Sequence, residues 1–203
     1  MKPAKLVLAS GNKGKLNEIT AMLRPLGFDL QPQSDWDVPE VVEVASTFVE
    51  NALTKARNAA WHTGLAALAD DSGLVVPALS GEPGIYSARY AGEGGDDRSN
   101  VNKLLETLQQ QSGKDRHAYF YCAMVLVRTD DDPAPLIATS RWHGQILMTP
   151  AGDGGFGYDP VFGVDDLKCS AAELDPEQKQ QLSHRGQALR SLVKQLSDQG
   201  ETC

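Results

Sequence analysis

Basic residues are in short supply in this 203-residue chain: 19 Lys and Arg stand against 27 Asp and Glu, for a net charge of −8. That deficit excludes a generic binder of DNA or RNA backbones, which needs a basic face. It allows a phosphate ligand whose local site is basic or bridged by a metal ion. Cysteine is scarce too. Cys122, Cys169 and Cys203 are far apart, odd in number and form no CxxC. This excludes a disulfide framework and a cysteine-based zinc site, and points to a reducing compartment. Long apolar runs are missing. No stretch approaches the ~20 residues of a bilayer span. The opening run "KLVLA" (5–9) is shorter than the ~7–15 residues of a signal-peptide core. Internal repeats and low-complexity linkers are absent as well. The expectation is a soluble cytoplasmic protein without membrane or nucleic-acid partners.

What is present suffices for a globular core. Hydrophobic residues are 41% of the chain, an ordinary share, and the length fits one generous domain or two lobes around a cleft. "KLVLA" reads as a strand, "SGNKGK" (10–15) as a loop, and Leu16, Ile19, Leu23 and Leu26 as a helical stripe stopped at Pro25-Leu26-Gly27. Residues 28–45 read as a strand and an acidic loop. Thr47 and Glu50 suit a capping box, opening a helix with Phe48, Ala52, Ala56 and Ala59 on one face and an end near Gly64. "LAALA" (65–69) reads as the next strand, followed by a Gly/Pro-rich loop to about residue 95, then a helix over 97–110. Residues 117–127 and 135–147 read as an antiparallel pair, "VFGV" (161–164) as a short strand. Ser183 is placed to cap a last helix that buries Leu189, Leu192, Val193 and Leu196. Strand-helix units combined with a meander argue α/β or α+β.

Four polar segments could carry chemistry. Residues 10–15, with Lys13 and Lys15, fit an anion cradle at a helix start or a plain strand-to-helix turn. They are not a Walker A loop, because Leu16 follows Lys15 where a Ser or Thr would bind magnesium. Gly152, Gly154 and Gly157 satisfy G-x-G-x-x-G, but Pro150 just before and Asp159-Pro160 just after leave no strand-turn-helix around it. The dinucleotide reading is therefore rejected. What remains is a loop presenting Phe156 and Tyr158 either to a planar base or to the core. His184 and Arg185 fall in the first turn of the last helix, where the dipole disfavours cations by a few tenths of a kcal/mol when exposed, so roughly an acceptor-rich ligand or chance explains them. Finally, "LADDSGLVV" (68–76) sets Asp70 and Asp71 where the apolar run is expected to end. In extended chain the two point to opposite sides, so only one can join a given site. A solvated turn and a metal site, with Glu40 or Glu43 as second ligand, both fit the pair.

In order, "SGNKGKLNEI", "STFVENALTKA", "ADDSGLVV", "GEPGIYSARYAG", "GGFGYDPVF" and "LSHRGQAL" closely resemble the inosine/xanthosine triphosphatases, the Ham1-like family, from about residue 5 to 197. The resemblance implies an α/β fold, an elongated mixed-sheet domain (1–203) of two lobes with a central substrate cleft, a frayed tail at 198–203, and a homodimer. It implies magnesium-dependent (Mg2+) hydrolysis of the purine nucleoside triphosphates ITP, dITP and XTP to monophosphate and pyrophosphate, cleansing the nucleotide pool. By the same resemblance Ser10, Gly11, Asn12, Lys13, Gly14 and Lys15 bind the triphosphate, with Lys55 facing the phosphates. Asp71 is the proton acceptor and a metal ligand, with Glu40 or Glu43 beside it, and Ser72 touches substrate. Phe156, Gly157, Tyr158, Asp159, Lys179, His184 and Arg185 hold the nucleotide. Two places depart from the family pattern. Glu43-Val44-Ala45 stands where Glu-Thr-Gly is usual, and Lys168-Cys169-Ser170 where Gly-Lys-Thr is usual.

The residue types suit that reaction. Lysines offset the polyphosphate charge, and a donor-only Arg185 set against C6 matches the keto purines while facing the adenine amino group with another donor. Such a mismatch costs on the order of 1–3 kcal/mol. Two rival readings are a pyrophosphatase of the same fold preferring modified pyrimidines and a nucleotide sensor without turnover.

Overall fold

The structure is a computed structural model that describes residues 4–93, 95–111 and 115–198, the side chains of Ala4 and Lys13 excepted. Cys203 and the tail after Asp198 lie outside the described residues. Strands run over Ala4–Leu8 (β1), Phe28–Pro32 (β2), Ala67–Val75 (β3), His117–Val127 (β4), Leu136–Ile146 (β5), Phe162–Val164 (β6) and Cys169–Ser170 (β7). Helices run over Lys13–Leu23 (α1), Phe48–Thr63 (α2), Asp97–Gln109 (α3), Pro176–Leu182 (α4) and His184–Asp198 (α5). The seven strands hydrogen-bond in the order β2-β1-β3-β4-β5-β6-β7. β1 is parallel to β2, from Ala4 opposite Phe28 to Leu8 opposite Pro32, and parallel to β3 at Val7 opposite Ala67. β6 is antiparallel to both β5 and β7. The sheet is therefore mixed. Parallel neighbours need long crossovers, and α1 and α2 supply them. Among the described residues no helix is long and apolar enough to cross a membrane.

The chain divides into two compact units. One comprises residues 1–71, 122–140 and 185–203, the other 72–121 and 141–184. In the first, Leu6 and Leu8 of β1, Ile19 and Leu23 of α1, and Leu189 and Leu192 of α5 belong to one buried cluster. Each such side chain contributes roughly 1.5–3 kcal/mol when fully removed from water. The second has its own cluster, with Leu104 and Leu108 of α3 among Phe120, Trp142 and Phe162. Phe120 and Phe162 sit with ring centroids 4.6 Å apart.

Local signals explain most boundaries. Asn12 caps α1 by accepting from the Lys15 amide, and a 3-10 turn over Arg24–Leu26 ends at Gly27 with φ 87°. Thr47 caps α2, and its hydroxyl also donates to Glu50 at 2.7 Å. Gly64 closes α2 in the left-handed region at φ 65°, which suits glycine at a helix C-terminus. On α2, Ala52, Ala56, Ala59 and Ala60 are buried, and so is Asn51; Phe48 is only partly buried. β4 and β5 are antiparallel as expected, since Tyr119 meets Arg141 while His117 meets His143.

One expectation needs correction. The Asp70-Asp71 pair does not terminate a strand, because β3 continues through both carboxylates to Val75. Their charges are held by partners, so they need no solvated turn. Ser183 stands directly before α5 in extended conformation, and its amide also donates to the Lys179 carbonyl at the end of α4. α4 and β7 are short elements without a periodic signature of their own. At the departure from the family pattern, Lys168 adopts φ 54°, a conformation that costs a side chain roughly 1–2 kcal/mol and glycine little.

Candidate active site

In the first unit the strand-to-helix turn is built as an anion-facing loop. The Ser10 hydroxyl oxygen accepts from the Asn12 amide at 3.2 Å, and Asn12 Oδ1 accepts from the Lys15 amide at 3.0 Å. Gly11 gives the acidic loop room, for a Cβ there would stand 3.3 Å from Glu40 Oε1. The N–H groups at the start of α1, around Gly14, have no partner within the helix and favour an anion. Lys13 opens α1, and its side chain lies outside the described residues.

Alternation along β3 sends its two carboxylates to different partners. Asp70 faces Lys15 Nζ at 3.1 Å and Arg185 Nε at 3.3 Å. Burial would raise its pKa, but Lys15, Arg185 and Lys55 outweigh burial and hold it well below the usual carboxylate range. Asp71 instead accepts from Lys55 Nζ at 3.2 Å and from Asn51 Nδ2 at 3.2 Å. Burial raises its pKa more than Lys55 lowers it, and Glu43 adds to the rise. Lys55 also contacts Glu43 Oε1 at 2.8 Å. Burial disfavours the Lys55 charge, yet Asp71, Asp70 and Glu43 raise its pKa overall.

Arg185, expected as a base-facing donor, is held by carboxylates of the chain itself. It is 3% exposed and gives its protons to Asp70 and Glu18. Burial would weaken its charge, but Asp70 and Glu18 raise its pKa. These carboxylates offset the unfavourable position of the Arg185 charge in the first turn of α5. Lys15 and Lys55 likewise face carboxylates of the chain itself. Cys122 is buried, and its thiol is pushed up to about 12 chiefly by burial, with Asp70 adding to the shift. It is an inert core residue.

The second unit holds the other expected residues. Asp159 Oδ2 accepts from the Phe156 amide at 2.8 Å and from Lys179 Nζ at 2.6 Å. The Lys179 ammonium stands 4.6 Å from the Phe156 ring centroid. Gly157 donates its amide to Asp97 Oδ2 at 2.6 Å. Gly155, at φ 71°, lets the turn close on Asp159, whose Cγ would lie 2.9 Å from an added Cβ. No α-helix follows the glycines, only a 3-10 turn over Asp159–Val161, in keeping with the rejection of the dinucleotide reading. Tyr158 packs into the core. It is 4% exposed in the core and its hydroxyl donates to the Ser87 carbonyl at 2.9 Å. Phe156 is partly buried. His184 is buried against Phe120, ring centroids 4.7 Å apart and nearly parallel at 11°. Ser72 is partly buried directly after Asp71.

Four contributors escaped sequence reasoning. Glu18 stands three residues after Lys15, and Asn51 four before Lys55, so helical spacing placed each on the face of a candidate. Asp97 and Ser87 carried no local signal. Ser87 accepts the Leu74 amide at 2.9 Å and donates to the Gly84 carbonyl, a tertiary role for the "GEPGIYSARYAG" segment.

A match to the Ham1 family extends over residues 6–195. The chain belongs to the Ham1 family. It is 52% identical over 199 residues to a dITP/XTP pyrophosphatase of Vibrio cholerae, covering 98% of this chain and 99% of that one. It is 53% identical over 192 residues to a protein of the same name from Thioalkalivibrio sulfidiphilus, covering 95% and 98%. The solved Ham1 protein of Coxiella burnetii superposes with a TM-score of 0.90 at 48% identity, covering 96% and 99%. A nucleoside-triphosphatase, dITP/XTP pyrophosphatase, of Mycobacterium abscessus does so with a TM-score of 0.74 at 44% identity, covering 93% and 98%.

Membership in the Ham1 family suggests a divalent metal requirement, and the first unit fits one. Among its described residues the cations Lys15, Lys55 and Arg185 are each set against a carboxylate, and Glu18, Glu43, Asp70 and Asp71 outnumber them. Among these described side chains a polyanionic ligand would meet no excess positive charge without an added cation. Asp71 and Glu43 already share one positive group, and hard cations take carboxylate oxygens. Among the described residues no three His, Cys, Asp or Glu side chains gather as a metal cage. Asp71, Glu43 and Glu40 therefore do not form one cluster. Two protein carboxylates completed by substrate phosphates is the usual arrangement for a small hard dication.

Proposed function

We propose that the protein hydrolyses ITP, dITP and XTP to the nucleoside monophosphate and pyrophosphate. The observation that carries this reading is the Lys55 ammonium shared by Asp71 and Glu43, at 3.2 and 2.8 Å. A structural turn has no use for two partly shielded carboxylates around one cation, and a sensor has no use for a base. The names of the relatives, dITP/XTP pyrophosphatases at about half identity over nearly the whole chain, support the same reaction.

The triphosphate binds at residues 10–15, where the α1 N-terminus and Lys13 favour it. Asp71 and Glu43 would hold a divalent cation, Mg2+ in this reading, which would neutralise phosphate charge and lower the pKa of bound water. Asp71 accepts the proton of the attacking water. The water oxygen bonds to the α-phosphorus, the bridging bond to the β-phosphate breaks, and pyrophosphate leaves with the electron pair. Burial makes Asp71 a stronger base than a solvated carboxylate, while Lys55 and Asn51 keep its ionised form accessible. Glu40, exposed beside Gly11, stays the alternative acidic ligand.

Base recognition falls to the second unit's residues. Phe156 offers a ring face, and Lys179 beside it can only donate. An ammonium donor suits the C6 carbonyl of hypoxanthine and xanthine and opposes the amino group of adenine. Ser72 and His184 complete the contacts, and Asp159 holds Lys179 in place. The protein acts as a homodimer, a state that light scattering measures directly.

The test is a panel of ITP, dITP, XTP, ATP, GTP and modified pyrimidine triphosphates with Mg2+, scored for pyrophosphate and orthophosphate. Pyrophosphate from the first three, with little from ATP and GTP, is the expected result. Release from modified pyrimidines alone, or tight binding with no turnover, refutes it.

A further inference from the structure

We infer that Asn51 is a positioning residue that fixes Asp71 and the Glu43 loop in register for a divalent cation, an inference resting on the function proposed above. Asn51 is 2% exposed, and a buried amide must find partners at both ends. Its Oδ1 accepts from the Ala45 backbone amide at 3.2 Å, and its Nδ2 donates to Asp71 Oδ2 at 3.2 Å. The Ala45 amide can only donate and an ionised carboxylate can only accept, so the amide's orientation is dictated from both sides.

Two consequences follow for the site. Asp71 keeps its oxygens distinct, because Oδ2 is held by Asn51 while Oδ1 faces Lys55. Ala45 lies two residues after Glu43, so the side chain that orients one carboxylate also anchors the loop that carries the other. Lys55 joins the same two carboxylates directly, one turn further along the same face of α2. Asn51 thereby sets the spacing that Lys55 only bridges. An asparagine serving packing alone would need the loop contact but not Asp71. Partners that orient metal-binding carboxylates typically change metal affinity about 10–100-fold when removed.

The experiment compares Asn51→Leu and Asn51→Asp with wild type in three readouts: Mn2+ binding to nucleotide-free protein by electron paramagnetic resonance, kcat and KM for ITP with Mg2+, and Tm. Asn51→Leu is close in size and loses both bonds. Asn51→Asp keeps the acceptor for Ala45 and sets a carboxylate against Asp71. Both variants are expected to bind Mn2+ about 10–100-fold more weakly. In both, kcat should fall while the KM for ITP holds, and excess metal should partly restore turnover. Should Asn51→Leu fail to fold, Asn51→Asp decides. A folded variant that binds Mn2+ as wild type does overturns the inference, as does wild-type protein that binds no Mn2+. Wild-type protein that binds Mn2+ but releases no pyrophosphate overturns the proposed function instead, and the Mn2+ comparison still decides the role of Asn51.

Discussion

Replacing Asp70 with Asn removes the buried carboxylate that faces both Lys15 and Arg185, at 3.1 and 3.3 Å, and leaves two cations beside a neutral amide. Breaking a buried pair by removing one partner costs about 3–5 kcal/mol. Arg185 retains Glu18, and the Lys15 side chain is 15% exposed, so the lower end, about 3 kcal/mol, applies. For a protein of this size about 1 kcal/mol moves Tm by about 2–4 °C, which gives a drop of roughly 6–12 °C for Asp70→Asn. The Asp70 pKa is depressed by folding, so its contribution is present above the unfolded value near ~3.9. It is lost as pH falls further, through the lower folded value. Calorimetry on wild type and variant from pH 7 to pH 3 should therefore show a gap that is wide at pH 7 and narrows below about pH 4. The neighbouring change makes the control. Asp71 has a raised pKa, so folding disfavours its charge, and Asp71→Asn should keep or raise Tm while turnover falls about 10²–10⁴-fold. An Asp70→Asn protein melting within about 2 °C of wild type would refute the reasoning, given ~2–4 °C per kcal/mol. So would an Asp71→Asn protein destabilised as much as Asp70→Asn.

Lys55→Met should leave Asp71 and Glu43 facing each other without their shared cation, so Asp71 ionises less readily. The acidic limb of the kcat/KM profile then moves to higher pH, and an unmoved limb would count against the assignment. Phe156→Ala should raise the KM for ITP with kcat nearly unchanged, since stacking on an aromatic ring is worth about 1–3 kcal/mol per base; steady-state kinetics decide this. Thr47→Ala removes the α2 cap and the bond to Glu50, with an expected loss of about 1 kcal/mol, read by thermal melting.

Local patterns revealed much of this molecule because they depend on neighbours in the chain. Periodicity located α1, α2, α3 and α5, since a helix that buries one face repeats its apolar residues every three or four positions. Alternation along an extended segment foretold that Asp70 and Asp71 would take different partners. The spacing of Pro150 and Asp159-Pro160 around the glycines ruled out the dinucleotide loop. The six motifs in order identified the family before any fold was known.

What each charge does was decided only in three dimensions. Arg185 reads from sequence only as a donor, and the fold adds that Asp70, 115 residues away in sequence, and Glu18, 167 away, accept from it. Tyr158 and Phe156 are equivalent aromatics on paper, but one hydroxyl reaches Ser87 in the core and the other ring does not follow it. Asn51 gained its meaning from Ala45 and Asp71, and neither contact has a periodic trace. The physical reason is common to all three. Secondary structure is set by interactions over a few residues, which a sequence displays. Burial and electrostatic pairing are set by which distant atoms the packed chain brings within about 3 Å of one another, and only the folded molecule specifies those.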